Sequence, residues 1–317
     1  AGGIERRDAA LDALVAVDAR IEALGTGYGW SEGPVWVDDA AVAGGGYLLF
    51  SDVPGNAIHR WDREGGARVW MRPSGHDGPD DAEFGTDGTN GLKPGLTPGT
   101  ILAADHGRRG LFSINLETQA KTALTERFAG ERYNSPNDVV AAADGALYFT
   151  DPPYGLKGGD ESPRKAQPVN GVYRLAADGG VTLVEGGLSR PNGVALSPDG
   201  RTLYVANSDP ERAIWMAYDV AADGTLSGGR VFFDATAMVG AAEPGLPDGL
   251  AVDVDGNLFA TGPGGVLVFS PEARLLGRIR TGGPVANVAF GGPERDWLYL
   301  TANDRLVRVR TGTRGLY

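Results

Sequence analysis

The chain has 317 residues, a hydrophobic content of 42% and a formal net charge of −12. That acidic balance argues against nucleic acid or an anionic membrane surface as a partner, since both need a basic patch, and no apolar run approaches the ~18 residues that span a bilayer. Without cysteine there is no disulfide, no thiolate zinc site and no cysteine nucleophile. A cysteine-free chain tolerates either redox state, so cytoplasm and periplasm both stay open for this soluble, bacterial-type sequence, as do a monomer and a homodimer. It begins at Ala1 and not Met, which fits either a removed signal peptide or a remnant of cloning.

Residues 6–17 put Leu11, Leu14 and Val15 at helical spacing, which predicts a short helix within an N-terminal helical extension over 1–19. Arg20-Ile-Glu-Ala-Leu24 then alternates polar and apolar, as a half-buried strand does. From there six segments resemble one another. They are Glu32-Gly-Pro-Val-Trp36, Thr89-Asn-Gly-Leu92, Pro136-Asn-Asp-Val139, Pro191-Asn-Gly-Val194, Pro247-Asp-Gly-Leu250 and Ala286-Asn-Val-Ala289. Each precedes a β-rich run, such as Leu147-Tyr-Phe-Thr-Asp151 or Leu203-Tyr-Val-Ala-Asn207. A period of roughly 40 to 58 residues built of strands and turns is the mark of a β-propeller. The prediction is an all-β, six-bladed propeller forming one domain over 20–317. After Ala286 only three strands remain, near Val285–Phe290, Trp297–Thr301 and Arg305–Val309. The strand at Arg20–Leu24 supplies the fourth and closes the ring, which hides its edges.

Asp-Gly recurs at 144–145, 178–179, 199–200, 223–224 and 255–256 between apolar runs, a dipeptide suited to type I′ hairpins. Asp253-Val-Asp-Gly-Asn257 resembles a calcium loop only superficially, because its glycine falls too early and no glutamate closes it. Residues 72–100 and 152–170 read as long loops, a length that is commonly mobile or functional.

Glu32, Asn137, Asn192 and Asp248 each stand where a blade's innermost strand begins, so the propeller brings them to one tunnel mouth. Two carboxylates and two amide carbonyls are an all-oxygen set suited to one divalent cation: Ca²⁺ first, then Mg²⁺ or Mn²⁺. Zn²⁺ is the least natural choice, as its usual His and Cys ligands are missing. Taken singly, Asn192-Gly193 and Asp248-Gly249 are more often turns, and Glu32 an exposed strand-entry residue. Context separates them: Pro136-Asn137, Pro191-Asn192 and Pro247-Asp248 share a preceding proline and a following strand, whereas the hairpin Asp-Gly pairs come after that strand.

Ser31-Glu-Gly-Pro-Val-Trp36, Phe50-Ser-Asp-Val-Pro54, Ser135-Pro-Asn-Asp-Val139, Arg190-Pro-Asn-Gly-Val-Ala-Leu-Ser-Pro-Asp199 and Pro247-Asp-Gly-Leu250 together resemble the gluconolactonase family, which includes regucalcin. The resemblance runs in order from about residue 20 to the C-terminus. It implies a six-bladed propeller with one catalytic divalent ion, usually Ca²⁺. It also implies Glu32, Asn192 and Asp248 as metal ligands, with Asn137 binding the ion directly or through water. Where regucalcin has a substrate-contacting arginine this chain has Ser135, a pattern common in bacterial gluconolactonases, and Ser135 becomes the substrate-contact candidate there. His106, in Asp105-His-Gly-Arg-Arg109, resembles a family motif, with a polar strand-end residue as the other reading. Tyr154, in Asp151-Pro-Pro-Tyr-Gly155, is a candidate for the cavity wall. His59 and His76 read as surface or loop residues.

The resemblance implies metal-dependent hydrolysis of a sugar lactone, glucono-1,5-lactone or a similar aldonolactone, by Lewis-acid catalysis. Asp248, Asn137 and His106 form the catalytic set, and Asn137, His106, Ser135 and Tyr154 the substrate contacts. Asp248 acts as general base, as nucleophile or only as a ligand. The alternatives are an organophosphate hydrolase resembling diisopropyl fluorophosphatase on the same site, and a non-catalytic propeller scaffold. No Gly-x-Ser-x-Gly elbow and no phosphate-binding loop ahead of a helix is present.

Overall fold

The computed structural model describes residues 2–78 and 84–316. Six antiparallel sheets, over residues 31–71, 89–125, 139–185, 191–234, 250–280 and 287–310, form blades 1 to 6 of a β-propeller. In each blade the strands are hydrogen-bonded in chain order, and the first strands of successive blades touch around the axis. Middle strands are buried on both faces and therefore read as near-continuous apolar runs, as in Gly46–Asp52, Leu258–Gly262 and Gly265–Phe269. Outer strands such as Leu226–Asp234 face solvent along most of their length.

The core is a ring and not a ball. Six hydrophobic clusters lie between neighbouring blades, one at each interface. Between blades 3 and 4, for example, Tyr148 and Val172 pack on Val194, Val205 and Ile214. No blade can bury its faces alone, so stability depends on the closed ring. Closure is as expected: Ile21–Thr26 pairs antiparallel with Arg305–Arg310, Ile21 opposite Val309 and Thr26 opposite Arg305.

The N-terminal segment departs from the helical extension expected over 1–19. Only Leu11–Leu14 is helical, a single turn whose Leu11 and Leu14, with Val15, fill the cluster between blades 5 and 6. Gly3–Arg6 is a strand and adds a fifth member to blade 5 by pairing with Leu275–Arg280. Helical spacing over so few residues gave no reason for a longer helix, because an isolated turn holds only by packing.

The Asp-Gly hairpins differ from type I′. Positive φ falls on Gly145, Gly179, Gly200, Gly224 and Gly256 but not on the preceding aspartates. In the first, Gly145 N–H donates to Ala142 O at 3.0 Å and Ala142 N–H to Ala146 O at 2.8 Å, a type I turn followed by a left-handed glycine. The Asp144 carboxylate accepts from Ala146 N at 3.0 Å, which explains aspartate at that position. Asp253–Asn257 is likewise a hairpin turn, closed by Asp253 N–H to Asn257 O at 3.0 Å. The expected loop over 72–100 ends earlier, since blade 2 begins with Thr89–Pro94; residues 79–83 of it lie outside the described residues. Among the described residues no helix is long and apolar enough to cross a membrane.

Candidate active site

Blades 1, 2 and 4 turn the first polar residue toward the axis with the same local device. The register of the first strand pair slips between Glu32 and Val35, between Thr89 and Leu92, and between Pro191 and Val194. A bulge at the strand start re-aims a side chain out of the sheet. In blades 1 and 4 the residue after the polar position then passes close to the next blade. A Cβ on Gly193 would lie 2.2 Å from Asp248 O, and one on Gly33 2.1 Å from Asn90 O, so only glycine fits. In blades 1, 3 and 4 the end of the second strand fixes the approach. Asp52 Oδ1 accepts from Gly29 N and Trp30 N, Asp151 Oδ2 from Asn134 N, and Asn207 Oδ1 from Arg190 N, at 2.8–3.3 Å.

Glu32, Asn137, Asn192, Asp248, His106 and Tyr154 line one cavity of about 310 Å³ at the tunnel mouth. Thr86, Asn90 and Ser208 add polar groups, and Trp30, Val53, Pro54 and Leu246 an apolar wall. Glu32 Oε2 accepts from Gly33 N at 3.0 Å and from Asn287 Nδ2 at 3.2 Å. Asn192 is held through its carbonyl, which accepts from Thr150 Oγ1 at 2.6 Å. His106 Nδ1 lies 2.7 Å from Thr86 Oγ1, and Nε2 lies 3.4 Å from Asn90 Nδ2.

The carboxylates are out of balance with their surroundings. Burial pushes Glu32 up to about 7. Asp248 is raised well above the usual carboxylate range, first by burial and then by the charges of Glu32 and Asp138. Its side chain opens on the cavity, but its Oδ1 is sealed from solvent and has no hydrogen-bond partner among the described residues. Lys93 Nζ sits 3.8 Å from Asp138 Oδ1, while no cation pairs with Glu32 or Asp248 among the described residues. Nor do three or more His, Asp or Glu side chains gather there to hold an ion. The donor set is two carboxylates with two amides, all oxygen. An unpaired buried carboxylate oxygen and two buried carboxyl groups with no cation beside them are what a hard divalent cation would satisfy, so these residues fit one.

Burial holds the His106 imidazole neutral, with its pKa lowered to about 3. Burial likewise raises the Tyr154 phenol, which faces Ser208 and Asn192 and stays protonated.

Ser135 is the departure among the expected site residues. It is fully buried; its Oγ donates to Pro152 O at 2.6 Å and accepts from Gly155 N at 2.8 Å. Its one O–H and one of its acceptor sites hold the Pro152–Gly155 turn, so it supports Tyr154, and it is not among the residues that line the tunnel-mouth cavity. His59, expected at the surface, is packed beneath Tyr28 and stacked on Phe50 at 5.4 Å. His76 lies in the 72–88 loop against Phe84.

Asn90 and Asn287 were the residues to find. They occupy the same repeat position as Glu32, Asn137, Asn192 and Asp248, so extending the alignment to all six blades identifies them. Thr86, Trp30 and Leu246 come from connecting segments with no repeat signal.

A family described as the SMP-30/Gluconolactonase/LRE-like region matches residues 30–304. The chain belongs to that family. The gluconolactonase of Zymomonas mobilis is 41% identical over 99% of this chain and 87% of its own. Pentonolactonase XacC of Haloferax volcanii is 30% identical over 85% of this chain and 80% of its own. Among solved structures, a gluconolactonase from Xanthomonas campestris superposes with a TM-score of 0.80 at 32% identity, covering 97% of this chain and 94% of that one. The calcium-binding protein regucalcin from Agrobacterium tumefaciens shares the fold, with a TM-score of 0.71 at 21% identity over 94% and 96%. The SMP-30/gluconolactonase match contains every cavity residue named above.

Proposed function

We propose that this protein is a lactonase that hydrolyses a sugar lactone of the aldonolactone class with the help of one divalent cation, Ca²⁺ in the first instance. Lactone hydrolysis is supported by the Zymomonas and Haloferax relatives. The cation is supported by one observation above all: two buried carboxylates without a counter-charge, one with an unpartnered oxygen, beside two amides in a single cavity.

Glu32, Asn137, Asn192 and Asp248 are the residues that would hold the ion. When bound, it supplies Lewis acidity toward the lactone carbonyl and offsets negative charge on the carbonyl oxygen as water adds. Asp248 takes the proton from the attacking water at a carboxylate oxygen. It returns that proton to the ring oxygen as the ester C–O bond breaks, leaving the open hydroxy acid. Tyr154, kept protonated, donates a hydrogen bond to the substrate. Neutral His106 presents its ring to the same space, and Trp30, Val53, Pro54 and Leu246 limit access of bulk water.

The test is metal analysis of the purified protein, coupled to hydrolysis of glucono-1,5-lactone before and after chelation. Stoichiometric metal, and activity lost on chelation and restored by Ca²⁺, are expected. Full activity in metal-free protein would overturn the role of the cation. Turnover of phosphotriesters without turnover of lactones would overturn the substrate class.

A further inference from the structure

Asn90 stands apart from the residues that would hold the cation. It lines the same cavity, is 5% exposed, and comes from blade 2, which contributes nothing to the Glu32, Asn137, Asn192 and Asp248 set. Its Oδ1 is sealed from solvent and has no hydrogen-bond partner among the described residues. A buried carbonyl left unpaired costs free energy, and a ligand group is a means of recovering it.

The His106 ring and the Asn90 amide face one another, Nε2 toward Nδ2. The ring is neutral, so it has one donor and one acceptor nitrogen. With Nε2 accepting from Asn90 Nδ2, the proton is on Nδ1 and is donated to Thr86 Oγ1. That chain uses one amide N–H and leaves Oδ1 without a partner among the described residues. A hydroxyl would meet a well-held acceptor.

We propose that Asn90 Oδ1, oriented by the Asn90–His106–Thr86 chain, is a hydroxyl-binding subsite that accepts a hydrogen bond from a ring hydroxyl of a sugar lactone. This rests on the lactonase reading and makes the enzyme selective for polyhydroxylated over unsubstituted lactones. Truncating Asn90 leaves the backbone role of this position intact, since its carbonyl still accepts from Ser51 Oγ at 2.8 Å.

The experiment compares wild type, Asn90→Ala and Asn90→Asp on glucono-1,5-lactone and on unsubstituted δ-valerolactone. Asn90→Ala should lower kcat/KM on gluconolactone about 10-fold, the size of one neutral hydrogen bond, mostly through KM, and change δ-valerolactone by less than about 2-fold. Asn90→Asp keeps an acceptor and should keep the ratio of the two substrates within about 3-fold of wild type. Equal losses on both lactones in Asn90→Ala, no loss on either, or a collapsed ratio in Asn90→Asp would each overturn the subsite. Calorimetric titration with gluconate and with pentanoate reads the subsite without turnover. If wild type hydrolyses no lactone, the proposed function falls, and the subsite still stands or falls on whether Asn90→Ala weakens gluconate selectively.

Discussion

The same six first strands make two opposite environments. At one end, Glu32, Asn90, Asn137, Asn192 and Asp248 open on the polar cavity. A few residues along, these strands present Val35, Val140, Val194, Leu196, Leu250, Val252 and Val288 to an apolar space of about 50 Å³. The chain's own C-terminus covers that base. Val254 N–H donates to Arg314 O at 2.9 Å, Gly315 N–H to Arg295 O at 3.1 Å, and Thr313 Oγ1 to Asp253 Oδ2 at 2.9 Å, which brings Leu316 under the tunnel. Lys93 is the one charged residue in the base lining and reaches Asp138 beneath the mouth. One end therefore carries uncompensated charge and unpaired oxygens, and the other carries packing. The mouth can keep residues that destabilise the metal-free fold because the base and the blade interfaces hold the ring.

Substitutions at the two ends should therefore fail in opposite ways, and the largest effect is expected at the mouth. Asp248→Asn keeps an oxygen ligand and removes the base. At saturating metal, kcat should fall roughly 10²- to 10⁴-fold, the range for lost acid–base catalysis. The metal-free variant should melt no lower than wild type, because a repulsion between buried carboxylates is gone. Steady-state kinetics with thermal melts checks both. Near-normal turnover would reduce Asp248 to a ligand.

Leu250→Ala, two residues along the chain and 1% exposed, tests the base. Truncating a buried leucine costs about 2–5 kcal/mol, so denaturant unfolding should shift markedly while kcat per folded molecule is kept. A variant as stable as wild type but inactive would erase the distinction between the ends.

Metal binding sharpens the same contrast at smaller scale. A ligand at about 100 times its Kd stabilises a native state by about 2.7 kcal/mol. Ca²⁺ at that level should raise the Tm of wild type and of Leu250→Ala alike. Glu32→Gln, which removes one charge from the donor set, should lose most of that rise at the same concentration. An undiminished rise in Glu32→Gln would place the ion elsewhere.

Much of this was legible in the sequence because a propeller repeats itself. The six polar-then-apolar segments set the blade count and the closing strand at Ile21–Thr26, and they placed Glu32, Asn137, Asn192 and Asp248 at one mouth. The failures came where the period does not reach. Gly3–Arg6 joined blade 5 through a pairing across the chain that local spacing does not encode. Ser135 reads as a contact because it stands where regucalcin has a substrate-contacting arginine, but its hydroxyl is used by Pro152 and Gly155, which only the folded turn reveals. Thr86 and Leu246 arrive on irregular connections, where neither alternation nor repeat marks a residue as facing inward.

His106 tests the mouth through protonation, because the fold dictates the state of its ring. Its pKa is near 6.5 when exposed and about 3 in the folded protein, because burial disfavours the charged ring. A base with a lowered folded pKa favours the native state in full above pH 6.5. Between about 6.5 and 3 the unfolded chain binds one more proton than the native one, so stability is lost as pH falls across that window. The slope for one proton is at most about 1.4 kcal/mol per pH unit. His106→Gln, which has no proton to take up there, should unfold with a shallower pH dependence than wild type, and the difference between the two curves isolates this one group from every carboxylate. Denaturant melts at pH 7, 6, 5 and 4 measure it. Parallel curves would mean that His106 protonates in the native state and that burial does not hold its ring neutral.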